Sequence, residues 1–208
     1  MINFELIDIS GLCGAIHGMR NAMNSWDKSD SEFGDDFRLG KNDLELCKRL
    51  AKAGESHRKF LRMIHVQFDL TAPFYFWKQF DTYKIGTTSN SCSTMHKIMS
   101  RKLNLMDFST ETLDIDDLDV LIIILDRIND HIELAKKEND SNEKKKHFES
   151  VVKLLPECFM QKRTIDLNYE VLIRIVNQRE NHKLKEWNMF CDDIKRIVSH
   201  SEAYIFAP

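Results

Sequence analysis

The stretch "MIHVQFDLTAPFYFWKQF", residues 63–80, constrains the fold more than any other part of the chain. Ile64, Val66, Phe68 and Leu70 alternate with His65, Gln67 and Asp69. Successive strand side chains point to opposite faces, so this alternation predicts a strand with one buried face. A helix is expected straight after it, with Thr71 as N-cap and Pro73 in the first turn, where its missing N–H costs nothing. Phe74, Tyr75, Phe76, Trp77 and Phe80 are too dense for an exposed helix. Strand and helix together therefore belong at the centre of a core.

The flanking segments extend that picture. "INFELIDI" at 2–9 has strand composition, "GLCGAIHGMRNAM" reads as a short helix, and "NSWDKSDSEFGDD" as a polar loop. "NDLELCKRLAKAG" predicts a helix capped by Asn42 or Asp43, with Leu44, Cys47 and Leu50/Ala51 on one face and Gly54 as the stop. From residue 113 onward the pattern is helical: "IDDLDVLIIILDRINDHIELAKK", then "ENDSNEKKKHFESVVKLL" up to Pro156. "IDLNYEVLIRIVNQR" follows, with Leu167, Val171, Ile175 and Gln178 along one stripe. "HKLKEWNMFCDDIKRIV" repeats Leu184, Trp187, Cys191, Ile194 and Val198 at helical spacing. The charged run at 136–147 reads as a solvated surface. No repeat or boundary interrupts the chain, so the expectation is one α+β domain over 1–208, rich in helix, with a small mixed or antiparallel sheet.

Bulk properties exclude several function classes. The 208 residues carry a net charge of -3, with cations spread along the chain, which argues against duplex DNA as partner. The longest apolar run, "VLIIIL" at 120–125, is bounded by Asp and too short to span a membrane. No secretory signal is visible at "MINFELIDIS". Five cysteines without paired spacing read as reduced thiols in a cytoplasmic protein, and scattered histidines argue against a metal site.

Catalytic motifs are thin. No Gly-x-Ser-x-Gly, Walker loop or His-Glu-x-x-His occurs, and "DIDDLD" at 114–119 reads as the acidic first turn of a helix. His57, beside Arg58 and Lys59, reads as a surface histidine; Cys92 is either a nucleophile lacking a base or a small buried residue. "DTYKIGTTSNSCSTMHK" at 81–97 gathers hydroxyls and amides beside cations, as a phosphate cradle or an ordinary polar loop would. Asn168 and Arg179 stand eleven residues apart, three helical turns and roughly 16 Å along one face. An Arg there can also simply end a helix against its last carbonyls.

The order of these pieces resembles the flavin-dependent thymidylate synthases (thymidylate synthase complementing proteins) over most of the chain. "LLPECF" followed by "IDLNYEVLIRIVNQRENHKLKEW" is similar to that family's Leu-Pro, Asn-Leu-Arg-x-Leu and later Arg, then His and an aromatic-acidic pair. On this resemblance Asn168 falls on a flavin-contacting Asn and Arg179 on an Arg that contacts deoxyuridylate. Gln79 falls on a substrate-contacting Gln, His57 near an active-site His, and Ser25 near the Ser of an Arg-Val-Ser segment. "YKIGTTSNSCSTM" sits where the signature Arg-His-Arg-x-x-Ser-x-Asn-x-x-Ser-x-Arg belongs. Aligned on Asn90 and Ser93, Tyr83, Lys84 and Ile85 replace Arg-His-Arg, Thr88 the first Ser and Met95 the last Arg; Thr82-Tyr83-Lys84 matches equally well. Other departures are Ser91 for a Glu, Val152-Lys153 for a substrate-binding Arg, and Arg62-Met63 for Glu-His. The "NSCSTMHK" wording is similar to a divergent phage and Firmicutes subgroup.

The resemblance implies a homotetramer that binds FAD and dUMP. It further implies methylation of dUMP to dTMP with methylenetetrahydrofolate as methylene donor and NADPH as reductant, without a cysteine nucleophile. Arg179, Gln79 and Ser93 would hold the nucleotide; Asn168, Ser25, His57, Tyr83, Lys84 and Ile85 would line the flavin. The lost cations leave two alternatives open: a non-catalytic nucleotide-binding protein (a sensor or sponge) on the same scaffold, and a purely structural oligomer.

Overall fold

Ile64, Val66, Phe68 and Leu70 are all fully buried, so the alternation in the central stretch is a strand with one face in the core. The computed structural model describes residues 1–34 and 36–198; Asp35, in the polar loop expected from the sequence, lies outside the described residues. In chain order the regular elements are β1 (Asn3–Ser10), α1 (Leu12–Met19), α2 (Lys41–Lys52), β2 (His65–Pro73), α3 (Phe74–Phe80) and β3 (Thr87–Ser91). They continue with α4 (Thr94–Lys97), α5 (Ile115–Lys137), α6 (Ser141–Leu154), β4 (Met160–Asn168), α7 (Tyr169–Arg179) and α8 (Lys185–Ile197). The strands form one antiparallel sheet in the order β1-β2-β4-β3. This is the helix-rich α+β class expected from the sequence.

The chain clusters into two compact units, and β2 and β4 each run from one into the other. One unit comprises residue 1, 71–79 and 91–163. Its core gathers Ile98, Leu103 and Phe108 with Leu121, Leu125, Ile128 and Ile132 of α5 and Val151 of α6. Asp114 caps α5 by accepting from Asp117 N at 2.9 Å, with Asp116 and Asp117 in the first turn. "DIDDLD" is thus a helix start whose carboxylates meet the positive end of the helix dipole.

Two expectations fail in this unit. β2 continues through Pro73, so Thr71 is not a cap and α3 begins one residue later. Main-chain carbonyls satisfy the first helical N–H groups instead: Phe74 N donates to Phe159 O at 3.1 Å and Tyr75 N to Glu157 O at 3.3 Å. The region after residue 113 is not helical throughout, because 160–168 forms β4. Its alternation escapes a reading for apolar residues because two inward positions are polar. Gln161 is buried and donates to Cys92 O at 3.0 Å, and Arg163 lies 4.2 Å over the Trp77 ring. Leu167 accordingly belongs to a strand rather than to the helical stripe of Val171 and Ile175.

The other unit comprises 2–70, 80–90 and the described residues from 164 onward. Its centre is aromatic: Phe4 stacks on Phe68 at 4.7 Å, and Phe80, Trp187 and Phe190 meet around them at 5.9–6.2 Å. Trp187, Cys191 and Ile194 are buried along α8, as their spacing predicts.

Asp43 is not the cap of α2. The N-cap position is Gly40, and the Asp30 carboxylate accepts from Asn42 N at 2.9 Å and Asp43 N at 3.1 Å. The Asp43 side chain is instead fully buried against Arg20, whose Nε donates to Oδ1 at 2.8 Å. The Ser29 and Ser31 hydroxyls donate to Oδ2 at 2.5 and 2.6 Å, tying the polar loop to α2. Burial pushes the Asp43 carboxyl up, but the bonds from Ser29, Ser31 and Arg20 outweigh it and hold it below the usual carboxylate range.

Removing one partner of a buried pair strands the other charge, which costs about 3–5 kcal/mol. Asp43→Ala is expected to lose that much in urea unfolding at neutral pH. A lowered folded-state pKa contributes stability above the unfolded value, about 3.9, and loses it as pH falls through the folded value. The gap between Asp43→Ala and the native chain should therefore narrow below about pH 4, as paired unfolding curves would reveal.

Candidate functional site

Asn168 stands where β4 gives way to α7. Its backbone is still extended (φ -91°, ψ 162°), and its Oδ1 accepts from Val171 N at 3.1 Å, as an N-cap does. The next residue, Tyr169, is fully buried and donates its N–H to Ile64 O at 3.1 Å. Burial also pushes the Tyr169 phenol well above its usual range, so it stays neutral there. With Tyr169 directed inward, Glu170 in the first turn of α7 is left beside Arg58. Glu170 Oε1 accepts from Arg58 Nε at 3.0 Å and from Nη2 at 2.9 Å.

Gly86 closes the site from the other side. Its φ of +76° lies in the left-handed region, and a Cβ added there would sit 2.8 Å from Asn168 Nδ2 and 3.2 Å from Val171 Cγ2. The backbone can therefore approach the cap only because this residue has no side chain.

Between these elements lies a cleft of about 510 Å³, lined by Arg58, Arg62, Ile85, Gly86, Asn168, Glu170 and Arg174, with Glu55, Asn177 and Gln178 at its margins. Arg58 is paired with Glu170 and lies 3.9 Å from Glu55. Arg62 and Arg174 are exposed, and among the described residues neither has a carboxylate partner; Arg174 lies 5.6 Å from the centre of the Tyr83 ring. Glu170 Oε2 is buried and has no hydrogen-bond donor among the described residues. The wall thus offers two guanidinium groups for an anion, amides for neutral polar atoms and one carboxylate oxygen awaiting a donor.

The residues singled out from the sequence are dispersed over several places. Ile85 and Asn168 line this cleft together. Tyr83 is 4% exposed; its hydroxyl donates to Gln178 Oε1 at 2.9 Å and accepts from Arg179 Nε at 2.9 Å. The Arg179 guanidinium also lies 4.7 Å over the Trp187 ring and 3.3 Å from His182 Nε2. Arg179 ends α7 as expected, and its side chain meets these aromatics. Lys84 lines a separate groove of about 300 Å³ with Asp81, Thr87 and Ser89. His57 faces a hollow of about 360 Å³ beside Phe60 and Met63. Ser25 precedes the short turn Trp26–Lys28 and makes no capping bond.

In the first unit, Gln79 lies on α3, and Ser93 lines a groove of about 210 Å³ with Cys92, Lys97 and Arg101. Cys92 is exposed, which excludes the small buried role considered for it. Part of the polar run at 81–97 is not loop: Thr87–Ser91 forms β3. Among the described residues no three His, Cys, Asp or Glu side chains converge as metal ligands, and no helix is long and apolar enough to cross a membrane. Arg58 and Arg174 carried no motif, and Glu170 and Gly86, though inside the two segments that resemble family motifs, were not singled out there.

No protein-family model matches the sequence, and no curated protein matches it. Solved structures do. The flavin-dependent thymidylate synthase ThyX of Helicobacter pylori, in complex with FAD and dUMP, superposes with a TM-score of 0.72 at 16% identity, covering 98% of this chain and 97% of that one. A second structure of that enzyme with FAD and dUMP gives 0.75 at 16% identity, with 99% and 97% covered. The UMP/dUMP methylase PolB of Streptomyces cacaoi, bound to 5-Br dUMP, gives 0.62 at 16% identity, with 94% and 89% covered. The chain has the fold of these proteins.

Gly86→Ala tests how the cleft is built. A left-handed backbone costs a residue with a Cβ roughly 1–2 kcal/mol, and the crowding against Asn168 adds to it. The variant should unfold at lower urea, and the Val171 amide should exchange faster with solvent as its cap is displaced. Unchanged exchange at Val171 would mean that Gly86 does not support the cap.

Proposed function

We propose that this chain binds a pyrimidine deoxynucleotide such as dUMP, together with FAD, on the thymidylate synthase scaffold. The observation that carries this reading is the pair of exposed guanidiniums, Arg62 and Arg174, which have no carboxylate partner among the described residues and line a cleft that also presents Asn168 and the backbone of Gly86. Arginines hold phosphate through charge-assisted hydrogen bonds, and a glycine at a wall lets a ligand meet the main chain. About 510 Å³ is within the range of small-molecule sites, roughly 300–1,000 Å³. The ligands of the similar structures, FAD with dUMP and 5-Br dUMP, are of the chemical kind this wall suits.

The wall fits the ring end of FAD: Ile85 offers an apolar contact for a ring and Asn168 an amide, which leaves Arg62 and Arg174 for the phosphate of dUMP. Bound FAD would supply hydride transfer, and the protein binds and orients. On this reading the reaction is methylation of dUMP to dTMP, with methylenetetrahydrofolate and NADPH as co-substrates, in a homotetramer. Gln79, Ser93, His57, Ser25 and Lys84 belong to it as further contacts proposed from the resemblance.

A second reading is a non-catalytic nucleotide binder, and one observation favours it. Tyr83 and Arg179, proposed for flavin and nucleotide respectively, are hydrogen-bonded to each other inside the protein. Two groups that satisfy one another are less available to two ligands.

The test is an absorbance spectrum after adding FAD and removing the excess, paired with dUMP titration. The first reading predicts retained flavin and bound dUMP; bound dUMP without flavin supports the second; neither ligand bound overturns both. Hydrogen bonds to a charged group contribute about 1.5–3 kcal/mol, and 1.4 kcal/mol is tenfold. Arg62→Ala and Arg174→Ala should therefore each weaken dUMP binding about tenfold or more.

A further inference from the structure

Glu170 is the carboxylate in the wall of the cleft with a buried oxygen left to pair. Its side chain is 16% exposed, and Oε1 is held by two nitrogens of Arg58. Oε2 is buried and has no donor among the described residues. A buried acceptor without a donor forfeits its hydration and gains nothing in return. The terminal torsion of a Glu carboxylate is broad and soft, so turning Oε2 toward the cleft needs no change of backbone. Such an oxygen accepts only: it takes an N–H or an O–H and repels a lone pair.

Beside it stands the Arg58 guanidinium, which only donates. Carboxylate and guanidinium in contact therefore present an acceptor next to donors. That edge complements a ring N–H flanked by carbonyl oxygens. A cyclic imide carries this pattern, and both uracil and the isoalloxazine ring of a flavin contain one at N3. Cytosine does not, because its N3 is a lone pair.

We propose that Glu170 is a specificity-determining residue of the cleft, which reads the N3–H of a cyclic imide on a phosphorylated ligand while Arg58 faces a flanking carbonyl. The proposal rests on the reading of the cleft as a nucleotide and flavin site. Uracil and flavin share the recognised group, and the experiment separates them.

Equilibrium binding to the full chain should compare dUMP with N3-methyl-dUMP and dCMP, and FMN with N3-methyl-FMN, for the native protein and for Glu170→Gln. The expected result is that N3 methylation weakens binding at least tenfold for one of the two ligand types, which identifies the imide that sits at Glu170. If that ligand is dUMP, dCMP should bind as poorly as N3-methyl-dUMP, and Glu170→Gln should narrow the dUMP-to-dCMP gap at least tenfold. An amide presents an N–H to the cytosine lone pair, so this effect has a direction. The N3-methyl comparison is made on the native protein and does not depend on how the variant folds. Tight binding of dUMP or FMN that is indifferent to N3 methylation overturns the role of Glu170 and leaves the functional reading standing. Failure of dUMP, FMN and FAD alike to bind overturns both.

Discussion

The hydrogen bond from Val171 N to Asn168 Oδ1, 3.1 Å long, fixes the point at which β4 stops and α7 begins, and the cleft forms around that point. Upstream, the strand carries Ile165 and Leu167 into the core. Downstream, Tyr169 is buried and Glu170 is left facing Arg58. Gly86 approaches the cap so closely that no other residue fits without displacement. One side-chain amide thus links sheet register, helix start and the shape of a wall, as a half-buried N-cap at a strand-helix junction allows.

Electrostatics then divides five of the arginines of this unit into two groups. Arg20, Arg58 and Arg179 are spent internally, on Asp43, on Glu170, and on Tyr83 with Trp187. Arg62 and Arg174 are exposed beside the cleft and pair with no described carboxylate. The difference matters because a guanidinium already holding a buried partner yields it only at the cost of stranding that partner. The exposed cations lining the cleft are therefore Arg62, which stands where the family pattern has Glu, and Arg174, while Arg179, which the resemblance picks out, is held against Tyr83 and Trp187. Fold likeness at 16% identity is compatible with such a redistribution, since a scaffold can keep its shape while its polar groups exchange roles.

The sequence was legible where chemistry is local. β2 was visible because its inward residues are all apolar, and α5 and α8 because their caps or apolar spacing lie within one segment. β4 was hidden because Gln161 occupies an inward position, where its amide is satisfied by Cys92 O. The cap of α2 was misassigned for a similar reason: the carboxylate that binds its first amides, Asp30, lies up to 13 residues upstream. The site was readable only in part. Asn168 and Ile85 came from the resemblance and do share the cleft. The Arg58–Glu170 pair spans 112 residues and the Tyr83–Arg179 pair 96, and no periodicity announces contacts at such separations.

The central claim is that a nucleotide occupies the cleft beside Asn168. Amide hydrogen exchange of the full chain, with and without saturating dUMP and FAD, tests it directly. Slowed exchange should appear in the backbone around Ile85 and Gly86 and in α7 between Tyr169 and Gln178. Slowing found instead at the hollow beside His57 or at the groove beside Ser93, with these segments unchanged, would contradict the account.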